Sequence, residues 1–209
     1  MNVRYVITGT DTGVGKTVFA AALTLALSGT YFKPVQSGSE EETDTDVVRR
    51  LTALPSEHFL RECYRLRTPL SPHRAAEIDG VEIDADRLML PTTDSPLIVE
   101  GAGGLHVPLT RKLLYIEVFA RWGVPVILCT RTVLGTINHT LLSLEALRRR
   151  AIPIHGVVFI GGANPDNERT ITEMGSVRSL GRMPTLTKVT PTHIADAFAR
   201  NFRQRDFVE

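Results

Sequence analysis

Short apolar runs alternate with longer amphipathic segments along most of this sequence. Runs such as residues 97–100 and 124–130 are almost continuously hydrophobic, which is typical of strands buried on both faces of a sheet. Because strands that alternate with helices form right-handed βαβ units, the pattern predicts an α/β fold with a mainly parallel sheet and helices on both faces. The predicted strands are residues 3–8, 30–34, 97–100, 124–130, 154–160 and 177–183, and the predicted helices are residues 16–28, 44–53, 113–122, 136–150, 165–174 and 191–203.

Length and charge limit the class of protein. The chain has 209 residues, which favours one domain over residues 1–209, with the irregular stretch 55–96 as an insertion of loops and short helices. Its 24 basic and 23 acidic side chains nearly cancel, so no overall field favours nucleic acid or a membrane as partner. Cys63 and Cys129 are too far apart in sequence to indicate a disulfide framework or a zinc site. Since the apolar stretch 18–27 is too short to span a membrane and a strand is predicted directly at the N-terminus, we expect a cytoplasmic protein.

A glycine-rich loop, residues 9–17, joins the first predicted strand to the first predicted helix. Its sequence Gly-Thr-Asp-Thr-Gly-Val-Gly-Lys-Thr is similar to a phosphate-binding loop, in which backbone N–H groups and a helix N-terminus bind phosphate oxygens. In such a loop Lys16 contacts the β- and γ-phosphates, and the Thr17 hydroxyl binds Mg²⁺. One departure is that Gly9 and Gly15 enclose five residues, so that Thr10 stands where the common pattern has its first glycine. The motif makes the predicted fold a P-loop NTPase-type sheet.

Further charged residues follow the predicted strands. Lys33, one of only four lysines, ends the second strand region, and Glu100 ends a buried run before a glycine-rich turn. Because ligands of open α/β sheets bind outside the carboxyl ends of strands, Lys33 is predicted to contact phosphate or carbamate oxygens. A buried carboxylate is costly without a cation, so Glu100 is predicted to bind a metal. Asp44 and Asp46 open a predicted helix, where either is also explained as a helix N-cap.

Several segments together resemble the dethiobiotin synthetase family. They are residues 9–17, 33–38, 70–73, 100–104 with 108–109, and 134–139, and they occur in that family's order. The five-residue gap in the loop, a departure from the general pattern, is also what this family shows. The C-terminal third of the chain matches only in general layout.

The resemblance implies an ATP-dependent enzyme that closes the ureido ring of dethiobiotin from 7,8-diaminononanoate and CO₂, through a carbamate and a carbamic–phosphoric anhydride. It implies Mg²⁺ as cofactor, small molecules as partners, and a homodimer whose substrate site lies at the subunit interface. By the same resemblance, Lys16 and Lys33 are catalytic, and Thr17, Asp46 and Glu100 hold Mg²⁺, with Asp46 favoured over Asp44. The residues implied to bind substrate are Thr12, Ser37, Gly135 and Asn138, and those implied to bind the nucleotide are Gly13, Val14, Gly15, Lys16, Thr17, Val18, Asp46, Glu100, Gly101, Ala102, Gly103, Pro184, Thr185 and Leu186.

A partition-type ATPase, which is a dimeric switch, is the alternative on the same fold. Such proteins carry a second lysine early in the loop, where this chain has Thr-Asp-Thr at residues 10–12. A non-catalytic nucleotide-binding module is a further alternative that the sequence leaves open. His106 and His139 lie near the matched segments and are interpreted as structural residues.

The chain departs from the family in the region that reads the nucleotide base. Many dethiobiotin synthetases read adenine with an Asn at the end of the strand that follows the long helix. The corresponding residues here are Ile160 and Gly161, and the nearest amide is Asn164. We therefore expect weak selectivity among nucleotide bases.

Overall fold

The computed structural model describes residues 3–208, and strands and helices alternate along most of them. The strands are β1 (Arg4–Gly9), β2 (Thr30–Phe32), β3 (Val35–Ser37), β4 (Phe59–Leu60), β5 (Tyr64–Leu66), β6 (Leu97–Gly104), β7 (Pro108–Thr110), β8 (Leu113–Leu114), β9 (Val126–Arg131), β10 (Ile154–Ile160) and β11 (Ser179–Met183). The helices are α1 (Lys16–Leu27), α2 (Asp44–Thr52), α3 (Pro72–Asp79), α4 (Tyr115–Trp122), α5 (Thr136–Arg149), α6 (Pro165–Met174) and α7 (Pro191–Asn201), with 3₁₀ turns at Ser56–His58, Ala85–Arg87 and Gln204–Phe207.

Seven strands form one parallel sheet in the order β11-β10-β9-β1-β6-β2-β4. β1 lies in the middle, with β6 on one side and β9 on the other. The chain fills one half of the sheet before it returns across β1 to fill the other, so the carboxyl end of β1 is a switch point of the topology. Ligands of open α/β sheets bind in the crevice at such a point. The glycine-rich loop follows β1 there.

Helices cover both faces of the sheet because the central strands are apolar on both faces. In β1, Tyr5 and Ile7 belong to one hydrophobic cluster and Val6 belongs to another, as expected when successive side chains point to opposite faces. The first cluster is closed by α1, which packs against α2 and α7. The second is closed by α4, whose Tyr115 and Phe119 are fully buried. The site at the strand ends therefore rests on a rigid, buried sheet.

All six predicted strands and all six predicted helices are present, which confirms the predicted mainly parallel α/β sheet. The predicted helix 113–122 begins only at Tyr115, because Leu113–Leu114 pair with β7. In the stretch 55–96 the structure has β4, β5 and α3; strands of two and three residues are too short to show a period of two in the sequence. The single domain over 1–209 stays a prediction, since residues 1, 2 and 209 lie outside the described residues. No helix within residues 3–208 is long and apolar enough to cross a membrane.

Candidate active site

The phosphate-binding loop leaves β1 and enters α1 at Lys16. Gly13 and Gly15 have φ angles of 66° and 104°, which L side chains rarely adopt. A Cβ atom on Gly15 would also lie 2.8 Å from Cγ2 of Ile160, so the loop packs closely against the end of β10. Lys16 Nζ donates a hydrogen bond of 3.0 Å to the carbonyl oxygen of Asp11, and burial lowers the pKa of this lysine. The loop thus holds its lysine at the opening of the site.

The additional residue of the loop is explained by the sheet. Gly9 still pairs with Cys129 of β9 and Gly104 of β6, and the Thr10 N–H donates to the Cys129 carbonyl at 3.0 Å. The turn therefore starts only after Thr10. A Cβ atom on Gly9 would lie 2.7 Å from Cγ1 of Val14, because the loop folds back over this glycine. The glycine at position 9 is needed for this approach, and the residue at position 10 extends the strand.

Three oxygen-bearing side chains, Thr17, Asp44 and Glu100, form an acidic cluster at the start of α1. The Thr17 Oγ1 atom lies 3.0 Å from Asp44 Oδ1 and 2.9 Å from Glu100 Oε1. Glu100 is fully buried, and burial raises its pKa although the Lys33 ammonium opposes this effect. Burial also acts to raise the pKa of Asp44, but the charge and hydrogen bond of Lys33 outweigh it, so that this pKa is lowered.

Lys33 supplies the cation of this cluster. Its Nζ atom lies 2.7 Å from Asp44 Oδ2 and 3.3 Å from Glu100 Oε1, and it donates to the Gly101 carbonyl at 3.0 Å. Burial acts to lower the pKa of Lys33, but the two carboxylates outweigh it and the pKa is raised. Lys33 is therefore a buried, charged lysine at the end of β2, where the sequence predicted a functional one.

The structure brings Asp44, and not Asp46, into the acidic cluster, which favours Asp44 over the Asp46 that the resemblance implied as metal ligand. Asp46 Oδ2 instead accepts hydrogen bonds from the backbone N–H (3.2 Å) and hydroxyl (2.6 Å) of Thr43, forming a capping box, and its Oδ1 lies 3.3 Å from Arg49 Nη1. Residues two apart in an α-helix point about 200° apart around its axis, so only one of these acids faces the site. The signal was in the sequence, because Thr43 stands three residues before an acid.

The acidic cluster fits Mg²⁺ in its chemistry. Mg²⁺ prefers oxygen ligands, usually keeps several waters, and is commonly bound by one or two carboxylates together with substrate phosphates. Two carboxylates and a hydroxyl converge here within hydrogen-bond distance. Within residues 3–208 no group of three or more His, Cys, Asp or Glu side chains is placed to hold a metal ion. Two carboxylates and a hydroxyl alone would leave coordination positions of Mg²⁺ open, and oxygens of the nucleotide and of water would fill them.

A cavity of about 470 Å³ opens beside the acidic cluster. Lys33, Asp44, Thr12 and Ser37 line it, together with residues 69–72 and 102–103. The Ser37 Oγ atom is buried and has no hydrogen-bond partner within residues 3–208. The hydroxyls of Thr8, Thr24 and Tyr115 are buried without a partner in that range as well, but of these four only Ser37 lines the cavity, where its hydroxyl is available to a ligand. Thr12 and Ser37, which the resemblance implied for substrate, thus lie in one wall.

Two residues that the sequence analysis assigned no role hold the acidic cluster in place. The Gln36 Oε1 atom accepts from the backbone N–H of Asp44 at 3.1 Å, and its Nε2 donates to the Ser37 carbonyl at 2.7 Å. The Tyr31 hydroxyl donates to Glu100 Oε2 at 2.8 Å. Tyr31 and Glu100 are 69 residues apart, so no local spacing could have indicated this contact.

Comparison with known proteins decides the family. A family model described as an AAA domain matches residues 3–193. The ATP-dependent dethiobiotin synthetase BioD of Agrobacterium fabrum is 60% identical over 209 residues, which is 100% of this chain and 99% of that protein. The protein of the same name from Brucella anthropi is 58% identical over 202 residues, covering 97% of this chain and 95% of that one. This chain belongs to the dethiobiotin synthetase family.

Two solved structures are similar in fold. A ParA family ATPase from Chlorobium tepidum has a TM-score of 0.58 at 10% identity and covers 95% of this chain and 98% of its own. A chain of the MinC:MinD cell division protein complex of Aquifex aeolicus has a TM-score of 0.58 at 12% identity, with coverages of 95% and 94%. At such low identity the likeness shows the fold alone. It confirms the P-loop NTPase-type fold and adds no support for a partition-type ATPase over a dethiobiotin synthetase.

The position where many dethiobiotin synthetases carry a base-reading Asn is apolar in this member of the family. Ile160 ends β10 and packs on Gly15 of the loop. Asn164, the nearest amide, caps α6: its Oδ1 accepts from the Asn167 N–H at 3.2 Å, and its Nδ2 donates to the Thr132 carbonyl at 3.1 Å. Both ends of the Asn164 amide are thus bound to the protein, which leaves the expectation of weak base selectivity standing as a prediction.

The other residues implied by the resemblance fall into two groups. Val14, Val18 and Leu186 belong to or pack against the same hydrophobic cluster as Ile160, so residues 184–186, after β11, lie on the loop's side of the sheet. Gly135 and Asn138 are exposed at the start of α5 and do not line the 470 Å³ cavity. Their predicted contact with substrate requires a second copy of the chain and stays a prediction.

Proposed function

We propose that this protein is an ATP-dependent dethiobiotin synthetase, which closes the ureido ring of dethiobiotin from 7,8-diaminononanoate and CO₂. The observation that carries the proposal is the convergence of the phosphate-binding loop, Lys33 and the acidic cluster at one edge of the sheet, beside a cavity with an unpartnered buried hydroxyl, in a chain of this family.

The reaction needs no nucleophile from the protein. One substrate amine bonds to the carbon of CO₂ and loses a proton, which gives a carbamate. A carbamate oxygen then bonds to the γ-phosphorus as the bond to the β–γ bridging oxygen breaks, which gives the mixed anhydride and ADP. The second amine bonds to the carbonyl carbon and loses a proton, phosphate leaves, and the ring is closed.

The protein's contribution is positioning and charge neutralisation, which dominate the catalysis of phosphoryl transfer. Lys16 and the loop N–H groups bind the phosphates, and Lys33 binds the carbamate oxygens from the wall of the cavity. Thr17, Asp44 and Glu100 would hold Mg²⁺, which would supply positive charge beside the phosphates. The high pKa of Lys33 keeps this cation charged throughout the neutral range.

An exposed apolar surface supports the predicted homodimer. Val133, Leu134 and Leu142 are 60%, 102% and 56% exposed, around the start of α5. Leu142 also lines a second cavity, of about 370 Å³, together with Thr12 of the phosphate-binding loop. Large exposed apolar side chains next to a site favour a protein partner, and a second copy would bring its own α5 there. A cytoplasmic location likewise remains a prediction.

The test is turnover of purified protein with 7,8-diaminononanoate, bicarbonate, Mg²⁺ and ATP. We expect dethiobiotin, identified by mass, with one ADP and one phosphate for each ring closed. Lys16→Ala removes one preorganised charge from the transition state, so its turnover should fall by on the order of 100-fold or more while the fold is kept.

Two controls make the result specific. Omitting the diamine should stop most ADP formation, because no carbamate is then present to accept the phosphoryl group. ATP hydrolysis that is independent of the diamine, without dethiobiotin, would contradict the proposal and favour a switch ATPase.

A further inference from the structure

Arg131 connects the neighbouring strand β9 to the tip of the phosphate-binding loop. It is the last residue of β9, and its Nη2 donates a hydrogen bond of 3.0 Å to the carbonyl oxygen of Thr12. Its guanidinium also lies 3.6 Å from the carboxylate of Asp11. Arg131 was not singled out by the sequence, because its partners are far away along the chain; Thr12 is 119 residues distant.

The hydrogen bond from Arg131 fixes the orientation of the peptide unit between Thr12 and Gly13. In a trans peptide the carbonyl and the following N–H point in opposite directions. Arg131 binds the Thr12 carbonyl, so the N–H of Gly13, on the other side of that peptide, points away from the guanidinium. That N–H makes no hydrogen bond to another residue in the described part of the chain. Loops that bind phosphate need such free, inward N–H groups.

Arg131 also offsets the negative charge of Asp11. Asp11 places a carboxylate in the loop that is to bind a polyanion, and its own backbone carbonyl accepts from Lys16 Nζ at 3.0 Å. The ion pair between Arg131 and Asp11 is 46% and 59% exposed, so it adds little to folding stability. The ion pair instead favours the binding of an anion to the loop, because an unpaired Asp11 carboxylate would repel that anion.

We propose that Arg131 is a positioning residue for ATP: it orients the peptide between Thr12 and Gly13 and neutralises Asp11, so that the loop is preformed for phosphate. This inference rests on the proposed binding of ATP by the loop. It assigns to Arg131 no contact with the reacting atoms.

The test uses Arg131→Met, with the dissociation constant of ATP measured by calorimetry and kcat and KM measured in the dethiobiotin assay. Loss of a charged hydrogen bond should raise the dissociation constant and KM for ATP by about 10- to 100-fold. Because Arg131 contacts none of the reacting atoms, kcat should change by less than about threefold. Arg131→Lys, which keeps a charged donor, should recover most of the binding. Asp11→Asn in the Arg131→Met background should recover about threefold, since it removes the unpaired negative charge.

Arg148→Met is the matched control. Arg148 likewise donates to backbone carbonyls, those of Gly175 and Ser176, but these lie after α6 and outside the loop. It should lower thermal stability and leave the dissociation constant of ATP unchanged. An Arg131→Met constant within about twofold of wild type, or an equal weakening by Arg148→Met, would overturn the inference. Failure of the wild-type protein to bind ATP would instead refute the proposed function.

Should Arg131→Met not fold, Asp11→Asn alone still decides the electrostatic part. It keeps the Asn oxygen that accepts from the Thr12 N–H, a contact of 2.7 Å in the native protein, and removes only the charge. We expect ATP to bind about two- to threefold more tightly. Weaker binding would refute the neutralising role of Arg131.

Discussion

Replacing Lys33 with Met removes a buried cation and leaves the carboxylates of Glu100 and Asp44 without it. Met has a similar length and is apolar, so packing is largely kept while the charge is lost. Unit charges at the observed separations of 2.7 and 3.3 Å attract by about 6 and 5 kcal/mol at an effective dielectric constant of about 20. Desolvation of the ions, several kcal/mol each, offsets most of this attraction in the native protein.

The variant loses the attraction but keeps the desolvation of Glu100, which is only 1% exposed. Asp44, at 32% side-chain exposure, regains part of its hydration. Removing one partner of a buried ion pair typically costs about 3–5 kcal/mol, and we expect Lys33→Met to fall in that range. This is about a fifth or more of the stability of an ordinary domain, about 5–15 kcal/mol.

The assay is urea unfolding at neutral pH, followed by circular dichroism, in buffer with EDTA so that no divalent ion takes the place of the lysine. Lys112→Met is the matched control, because Lys112 is exposed; it should change the free energy of unfolding by less than about 0.5 kcal/mol. A loss below about 1 kcal/mol for Lys33→Met would refute the view that Lys33 balances buried carboxylates.

Three further outcomes are expected. Asp44→Asn should weaken Mg²⁺ binding to the ATP complex by on the order of tenfold or more. Asp46→Asn should lower the free energy of unfolding by only about 0.5–2 kcal/mol. If calorimetry showed that both variants weaken Mg²⁺ binding equally, the choice of Asp44 would be contradicted. CTP, GTP and UTP should support turnover within about 10–100-fold of ATP in kcat/KM, and a preference above roughly a thousandfold would reveal an unrecognised reader of the base. Burial lowers the pKa of His155, so the folded protein binds its proton less readily than the unfolded chain. The free energy of unfolding should therefore fall as pH drops from about 6.5 toward the pKa of the folded state. In His155→Phe the free energy of unfolding should depend less on pH in this range.

The fold class and the centre of the site could be predicted from the amino-acid pattern alone. Apolar runs such as Leu97–Val99 identify buried parallel strands, because both faces must be covered by helices. The glycine-rich loop, Lys33 and Glu100 each follow such a strand, and parallel strands bring their carboxyl ends to one edge. The local sequence pattern was sufficient to predict the centre of the site, because the parallel topology brings the ends of these strands together.

Which polar groups meet at that edge depends on how the helices and loops pack in the folded protein. The spacing from Thr43 gives Asp46 a local capping role, but that Asp44 faces Lys33 follows only from the rotation of α2 in the fold. Arg131 acts through the backbone carbonyl of Thr12, 119 residues away, and Gln36 acts through the backbone N–H of Asp44 across the loop before α2; neither contact follows a spacing rule. The pairing of β4 was equally hidden, because a strand of two residues is stabilised by its neighbour β2 rather than by its own composition. These contacts are set by packing between segments, and they cannot be predicted from the periodicity of the sequence.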